Sequence, residues 1–363
     1  MKNAVVRCLI LLVLICCNQP RSDWKGSIEV VDGVTLVKNP KDPLYETVNF
    51  RLEEEISTGS GGESDQYMIS QIRDIAVDEE GNIYILDFKE ANVKVFDENG
   101  MYLRTMGKKG QGPGEIGMPF YVSITHDDEV LVEDLMNRRL TFYSLEGEHT
   151  KTISTAKQSI VQTQADSQGN IVGVVMDMKN RAFEVTKFSP AMESLCTYGS
   201  EPLSQNPQKY DPFKASPSWT MNSEDYVYFG VCTEYAVSMF GPNGTLRKKI
   251  TKEWDPIRIT QKELEDAEKR VPPPRIMEAP KYHYPIVRFI LSDDGMIFVQ
   301  TWERAEDSKG YYYDCFDKEG RYLFKTLLRN RPSIWKKGKL YTIEEDEDGY
   351  QYVKRYKVTW NHM

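Results

Sequence analysis

Histidine is scarce in this chain. There are four, His126, His149, His283 and His362, and no two stand at a ligand spacing such as H-x-x-x-H, so zinc-type catalysis has no motif to rest on. No serine sits in G-x-S-x-G, which removes the hydrolase nucleophile elbow. Positive charge is short: 46 Lys and Arg face 55 Asp and Glu, a net −9. Binding to a phosphate backbone needs clustered cations, so nucleic acid is not the expected partner. Cysteine is also sparse beyond the leader, leaving Cys196, Cys232 and Cys315. An odd number at wide spacing is no disulfide framework. Three buried thiols acting as small hydrophobes are expected, with a bond only if the fold brings two together. Past the first residues, no apolar run is long enough to span a bilayer.

The N-terminus reads as a targeting segment. Lys2 and Arg7 form a basic start, and Cys8 to Ile15 is an apolar run of eight residues. It ends in Leu14-Ile15-Cys16-Cys17, which resembles the lipobox of bacterial lipoproteins. Cys16 stands where that pattern prefers Gly, Ala or Ser. The resemblance implies a signal peptide over 1–16, a lipid on Cys17 and a polar tether over 17–26. It also implies a lipid-anchored protein of the bacterial cell envelope, touching the membrane through that lipid only.

What the chain does have is a repeat. Residues 72–106 run IRDIAVD, NIYILD, NVKVFD and MYLRTM, four alternating runs parted by turn residues. That is a four-stranded antiparallel meander, and the glycine-rich crossover KKGQGPGEIGMP follows it. Such a unit cannot bury its face alone, so its recurrence implies a ring or a stack. Further units fall at 120–153, 160–198, 216–250, 285–328 and 333–360. The last lacks a strand, and the isolated alternating stretch 45–57 supplies it. The expected fold is an all-β, six-bladed β-propeller occupying 27–363, with the ring closed by an N-terminal strand. A small hairpin over 27–37, turning at Asp32-Gly33, precedes it.

The residues Asp78, Gly81-Asn82-Ile83-Tyr84, Asp87, Val93-Lys94-Val95-Phe96 and Gly112-Pro113-Gly114-Glu115 resemble an NHL-type six-bladed propeller repeat. They also resemble propeller lipoproteins of unassigned function in bacteria. Lys94 stands where the repeat usually has Arg. The resemblance implies fold and not activity, because propellers host enzymes, sugar binders and scaffolds alike. G-x-G-x-x-G at Gly112–Gly117 is read as the crossover loop, since a strand follows it instead of a helix.

One segment breaks the period. Between the fourth and fifth units, 251–284 carries a capping box at Thr260 and Glu263, then Leu264, Ala267 and Val271 on one side of a short helix, then Pro272-Pro273-Pro274. In a propeller, the connections between blades and the loops between second and third strands share one face. The long segments all fall there, so that face is where binding is expected. Residues opening each inner strand should ring the channel mouth: Arg73, Tyr121, Gln162, Trp219 and Arg288, with Trp335 by the same logic. Arginines and aromatics there suit an anionic or carbohydrate-like ligand. Tyr210, Phe213, Tyr282, His283 and Tyr284 should line or cover the mouth.

These features lead to an exported propeller that binds a ligand or protein partner on its loop-rich face without catalysis. The alternative is a lyase, lactonase or hydrolase with a metal in the channel. No cofactor is indicated, although separated carboxylates around a channel leave room for calcium. The acidic run at 344–349 reads as a solvated hairpin.

Overall fold

A computed structural model describes residues 24–59, 64, 66–204, 206–307 and 309–362. The expected leader and Cys17 lie outside them. The fold is the six-bladed propeller read from the repeat. Blade 1 is Ile72–Val77, Ile83–Asp87, Asn92–Phe96 and Tyr102–Met106. Blade 2 is Pro119–Ile124, Glu129–Asp134, Arg139–Ser144 and His149–Ser154, and blade 3 is Ile160–Ala165, Ile171–Asp177, Ala182–Phe188 and Ser194–Pro202. Blade 4 is Ser218–Met221, Val227–Gly230, Ala236–Phe240 and Leu246–Lys252. Blade 5 is Arg288–Leu291, Ile297–Arg304, Tyr311–Phe316 and Tyr322–Leu328. Blade 6 combines Pro332–Lys336, Lys339–Glu345 and Gln351–His362 with an N-terminal strand. In each blade the first strand is innermost.

Turn chemistry explains why the unit repeats. Asp78 Oδ1 accepts the N–H groups of Glu80, Gly81 and Asn82 at 3.0, 2.9 and 2.8 Å. Asp166, Asn222 and Ser292 hold the same turn in blades 3, 4 and 5. Short side chains that bond their own backbone favour such turns. On the opposite face, Asp87 and Asp134 end the second strands of blades 1 and 2. Each accepts backbone N–H groups from the incoming crossover, Ser70 to Asp87 at 2.7 Å and Gly117 to Asp134 at 2.9 Å. The crossover at 107–118 is therefore part of the blade, as read.

The core is six apolar layers, one in each seam between neighbouring blades. Tyr84 and Leu86 of blade 1 pack on Val122, Val132 and Tyr143 of blade 2, for example. A sheet buried on both faces has near-continuous apolar strands, and IYILD of blade 1 is fully buried.

The N-terminal segment does more than close the ring. The expected hairpin forms as β1 (Ser27–Val31) and β2 (Val34–Asn39), with Asp32 and Gly33 both at positive φ. β2 then pairs in parallel with the outer strand of blade 4, making that sheet six-stranded, two strands more than the repeat implied. Next, the N–H groups of Leu44 and Tyr45 donate to Tyr322 and Leu323 O at the outer edge of blade 5. Finally β3 (Val48–Gly59), slightly later than the 45–57 expected, pairs antiparallel with Gln351–His362 and completes blade 6. The segment is a belt across the rims of blades 4, 5 and 6. Asn39 is its rivet. Its Nδ2 donates to Thr251 O (3.1 Å) and Gly320 O (2.8 Å), and its Oδ1 accepts from Tyr322 N (2.6 Å) and Trp24 Nε1 (3.1 Å).

The insertion forms as read at its start. The helix α1 (Gln261–Glu268) has both capping-box bonds and buries Ala267. It ends before Val271, and the segment continues irregularly to blade 5. Residues Ile276–Met277 pair in parallel with Lys209–Tyr210, so the two long connections flanking blade 4 are knitted together. Cys232 and Cys315 are buried free thiols, whereas Cys196 is partly exposed, unlike the expectation. It lies on the outer strand of blade 3, where only one neighbouring strand covers it.

Candidate functional site

An inner strand pairs on one side only, so its other edge presents free N–H and C=O groups to the axis. In all six seams a side chain of one blade satisfies part of the next blade's inner edge. Asp74 Oδ2 accepts from Val122 N at 3.0 Å. Thr163 Oγ1 lies 3.5 Å from Glu133 Oε2 as its donor, and Ser123 Oγ donates to Thr163 O at 3.2 Å. Gln164 Oε1 accepts from Met221 N at 3.2 Å, and Ser218 Oγ from Phe289 N at 3.1 Å. Arg288 Nη2 donates to Pro332 O at 2.8 Å, and Gln351 Oε1 accepts from Ile72 N at 2.8 Å, which returns to blade 1.

One of the residues expected to bind a ligand, Arg288, belongs to this ring of clips. Arg288 is held by the blade 6 carbonyl and by Gln300 Oε1 at 3.0 Å. Trp219 packs into the core layer between blades 3 and 4, and Trp335 stacks on Phe298 at 4.3 Å. Tyr121 is half-buried, with Gln164 Nε2 3.4 Å from its hydroxyl. Gln162 is exposed at a β-bulge with φ 55°. Arg73 is exposed and lies over the Phe120 ring at 3.7 Å. Tyr121 is thus brought beside Asp74 and Glu133, two carboxyls the sequence reading passed over. Burial pushes Asp74 up to about 7, against the pull of the Val122 and Ile75 N–H groups and Arg73. Burial pushes Glu133 up to about 8, with Asp74 adding to the rise. Glu133 is 1% exposed, and its Oε1 has no hydrogen-bond partner. Burial also raises the Tyr121 hydroxyl.

The large opening on the loop-rich side lies off the axis. A cavity of about 1210 Å³ sits between the outer strands of blades 4 and 5, under the insertion and beside the N-terminal belt. No inner-strand residue lines it. On its floor, Lys252 Nζ lies 3.4 Å from Asp314 Oδ2, both side chains almost wholly buried. Tyr235 and Tyr322 donate their hydroxyls to Asp314 at 2.5 and 2.8 Å, and their rings face the ammonium at 5.1 and 4.7 Å. Burial lowers the Lys252 pKa, with Asp314 opposing. Paired and hydrogen-bonded in this way, both charges are tolerated out of water.

One wall is aromatic. His283 stacks on Trp302 at 4.4 Å, Phe213 meets both edge-on, and Glu263 of α1 lies 3.1 Å from His283 Nε2. Burial lowers the His283 pKa against Glu263. Phe213 and His283, expected over the channel mouth, therefore line this lateral cavity instead. Tyr284 is anchored through its hydroxyl to Asp211 at 2.5 Å, Tyr282 is exposed, and Tyr210 sits under Arg275 at 5.6 Å. The sequence signal for Asp314 and Glu133 was visible: each interrupts an apolar strand, in YYYDCF and VLVED. Nothing local marked Lys252.

Among the described residues, no three His, Cys, Asp or Glu side chains converge in a way that would hold a metal ion. No helix there is long and apolar enough to cross a membrane.

Comparison with known proteins agrees with the architecture. A family model described as a 6-bladed beta-propeller, DUF5128, matches residues 63–172. No curated protein matches the chain significantly. Among solved structures, a Bacteroides fragilis protein named as a candidate for export aligns at a TM-score of 0.59 and 10% identity, covering 90% of this chain and 100% of its own. A DUF4221-family member from Bacteroides vulgatus aligns at 0.56 and 10% identity, over 87% and 99%. These show a shared fold. A gluconolactonase from Xanthomonas campestris aligns at 0.45 with 10% identity, over 80% and 87%, which carries no argument about activity.

Proposed function

We propose that this chain is an exported, lipid-anchored propeller of NHL-repeat type that binds a ligand in the cavity between blades 4 and 5, without catalysis. The observation that carries this is the cavity itself. Its volume of about 1210 Å³ exceeds the roughly 300–1,000 Å³ of small-molecule sites. It is lined by the insertion at 251–284, which departs from the repeat. Export is supported by the basic start, the apolar run and the polar tether, and by the named export of the B. fragilis neighbour. Of the residues expected at the channel mouth, Arg73 and Gln162 stay exposed and Tyr121 half-buried, whereas Arg288 and Trp219 are taken up by seam and core. That moves the site outward.

Glycan-array screening and pull-down with full-length protein test this, with Trp254→Ala in the cavity and Arg73→Ala at the axis. Capture should be lost with the first variant and kept with the second. The reverse pattern would put the site in the channel and sink the proposal. One observation favours an enzyme instead. Asp74 and Glu133 sit in the range where acid–base catalysts work. Turnover of a captured ligand that disappears in Asp74→Asn would establish that role.

A further inference from the structure

We propose that Lys252, on the floor of the cavity between blades 4 and 5, captures a small aldehyde or ketone as a reversible imine. The proposal rests on the ligand-binding role given above to the same cavity and adds the chemical class of its ligand. The bond is covalent, but nothing is turned over. Lys252 ends the outer strand of blade 4 and lies across the seam from Asp314 of blade 5. Four lysines line the cavity. Lys41, Lys262 and Lys325 are exposed, whereas the Lys252 side chain is only 6% exposed.

A buried lysine acts as a nucleophile when a neighbour can take its proton. Asp314 is placed to do so. Lys252 Nζ lies 3.4 Å from Asp314 Oδ2, a looser contact than the 2.5 Å between Lys187 and Asp166, which are comparably buried. Both oxygens of Asp314 already accept short phenol bonds, Oδ2 from Tyr235 at 2.5 Å and Oδ1 from Tyr322 at 2.8 Å. Nζ also donates to Glu253 O at 3.2 Å. The other charges facing it, Lys325 and Glu303, bridge each other at 2.6 Å. Burial outweighs Asp314 and lowers the ammonium pKa, which raises the share of free amine.

The step balances without a co-reactant. Asp314 takes one proton from the ammonium, and the nitrogen lone pair attacks the carbonyl carbon. The C–N bond forms as the C=O π pair moves to oxygen. That oxygen takes up two protons, the one held on Asp314 and one more from nitrogen, and leaves as water. The nitrogen lone pair then closes the C=N bond. Nothing is oxidised or reduced, and hydrolysis reverses the capture. Ammonium and iminium carry the same single positive charge, so Asp314 keeps its counter-ion. The rings of Tyr235 and Tyr322, 5.1 and 4.7 Å from Nζ, face either cation equally well. A floor shielded from bulk water also protects the imine from hydrolysis.

Cyanoborohydride trapping on the full-length protein in detergent decides this, with glyceraldehyde as the aldehyde and pyruvate as the ketone. The reductant converts an imine to a stable secondary amine, and peptide mass spectrometry reads each lysine. In short exposures near neutral pH, Lys252 should be labelled at least about tenfold faster than the exposed Lys262 on the same cavity. Selective labelling by glyceraldehyde supports an aldehyde ligand, and by pyruvate a ketone. Lys252→Arg keeps a cation beside Asp314, so it should lose that adduct and keep the wild-type melting temperature within a few degrees. Labelling of Lys252 no faster than Lys262, or none at all with either probe, would overturn the imine. That comparison is made in the wild type, so it holds even if Lys252→Arg fails to fold. It would leave the cavity as the ligand site, which Trp254→Ala tests separately through capture.

Discussion

Single residues of this propeller do work that their local sequence does not announce. Asn39 joins β2 to blades 4 and 5 through three hydrogen bonds, and to Trp24 through a fourth, while 3% exposed. Asn39→Ala leaves a buried N–H and two carbonyls without partners, so denaturant titration should show a loss of about 2–4 kcal/mol. Glu133 makes a second case. Its folded-state pKa is near 8, above the roughly 4.3 of an unfolded glutamate. Between those values the folded state holds the proton and the unfolded state does not, so stability is full below about pH 4 and falls as pH rises toward 8. Asp74, held near 7, acts in the same direction. Glu133→Gln should flatten this decline, with a smaller drop in denaturation midpoint between pH 5 and 8 than wild type. An unchanged slope would mean that Glu133 ionises normally.

At the level of elements, the belt separates two tasks. β3 supplies the fourth strand of blade 6 and covers Val353, whereas β1, β2 and residues 40–46 only brace blades 4 and 5 from outside. A chain beginning at Val48 keeps six four-stranded blades, so it should fold and melt several degrees lower. A chain beginning at Ser64 exposes the edge of Gln351–His362 and the apolar face beneath it, and it should aggregate instead of sedimenting as a monomer. Equal behaviour of the two truncations would contradict the closure role. The insertion belongs to this scale too. Its capping box was legible because Thr260 and Glu263 are three residues apart. Its docking over blades 4 and 5 was not, because Phe213 and Trp302 reach it from distant parts of the chain.

For the whole molecule, the two faces differ in construction. One carries tight Asx and glycine turns, and the other carries the crossovers, the insertion and the cavity. If Cys17 holds the lipid, as the N-terminal pattern suggests, then Cys17→Ser should shift the protein from the membrane fraction to the soluble one. Retention in the membrane would require another anchor.

The blade count, the turns, the closing strand and the odd segment were all determined by the sequence alone. Each rests on signals within a few tens of residues: alternation, Asx and glycine turns, a capping box, a missing fourth strand. Tertiary structure decided which polar residues are structural and where the opening lies. Arg73 and Arg288 look alike as residues that open inner strands, yet Arg288 is consumed by Pro332 O and Arg73 stays exposed. Lys252 and Asp314 lie 62 residues apart and meet only because blades 4 and 5 are adjacent. The physical reason is that a repeat encodes contacts within a blade, whereas seams and cavities arise between blades, where partners are set by ring geometry and by a belt that pairs the two ends of the chain.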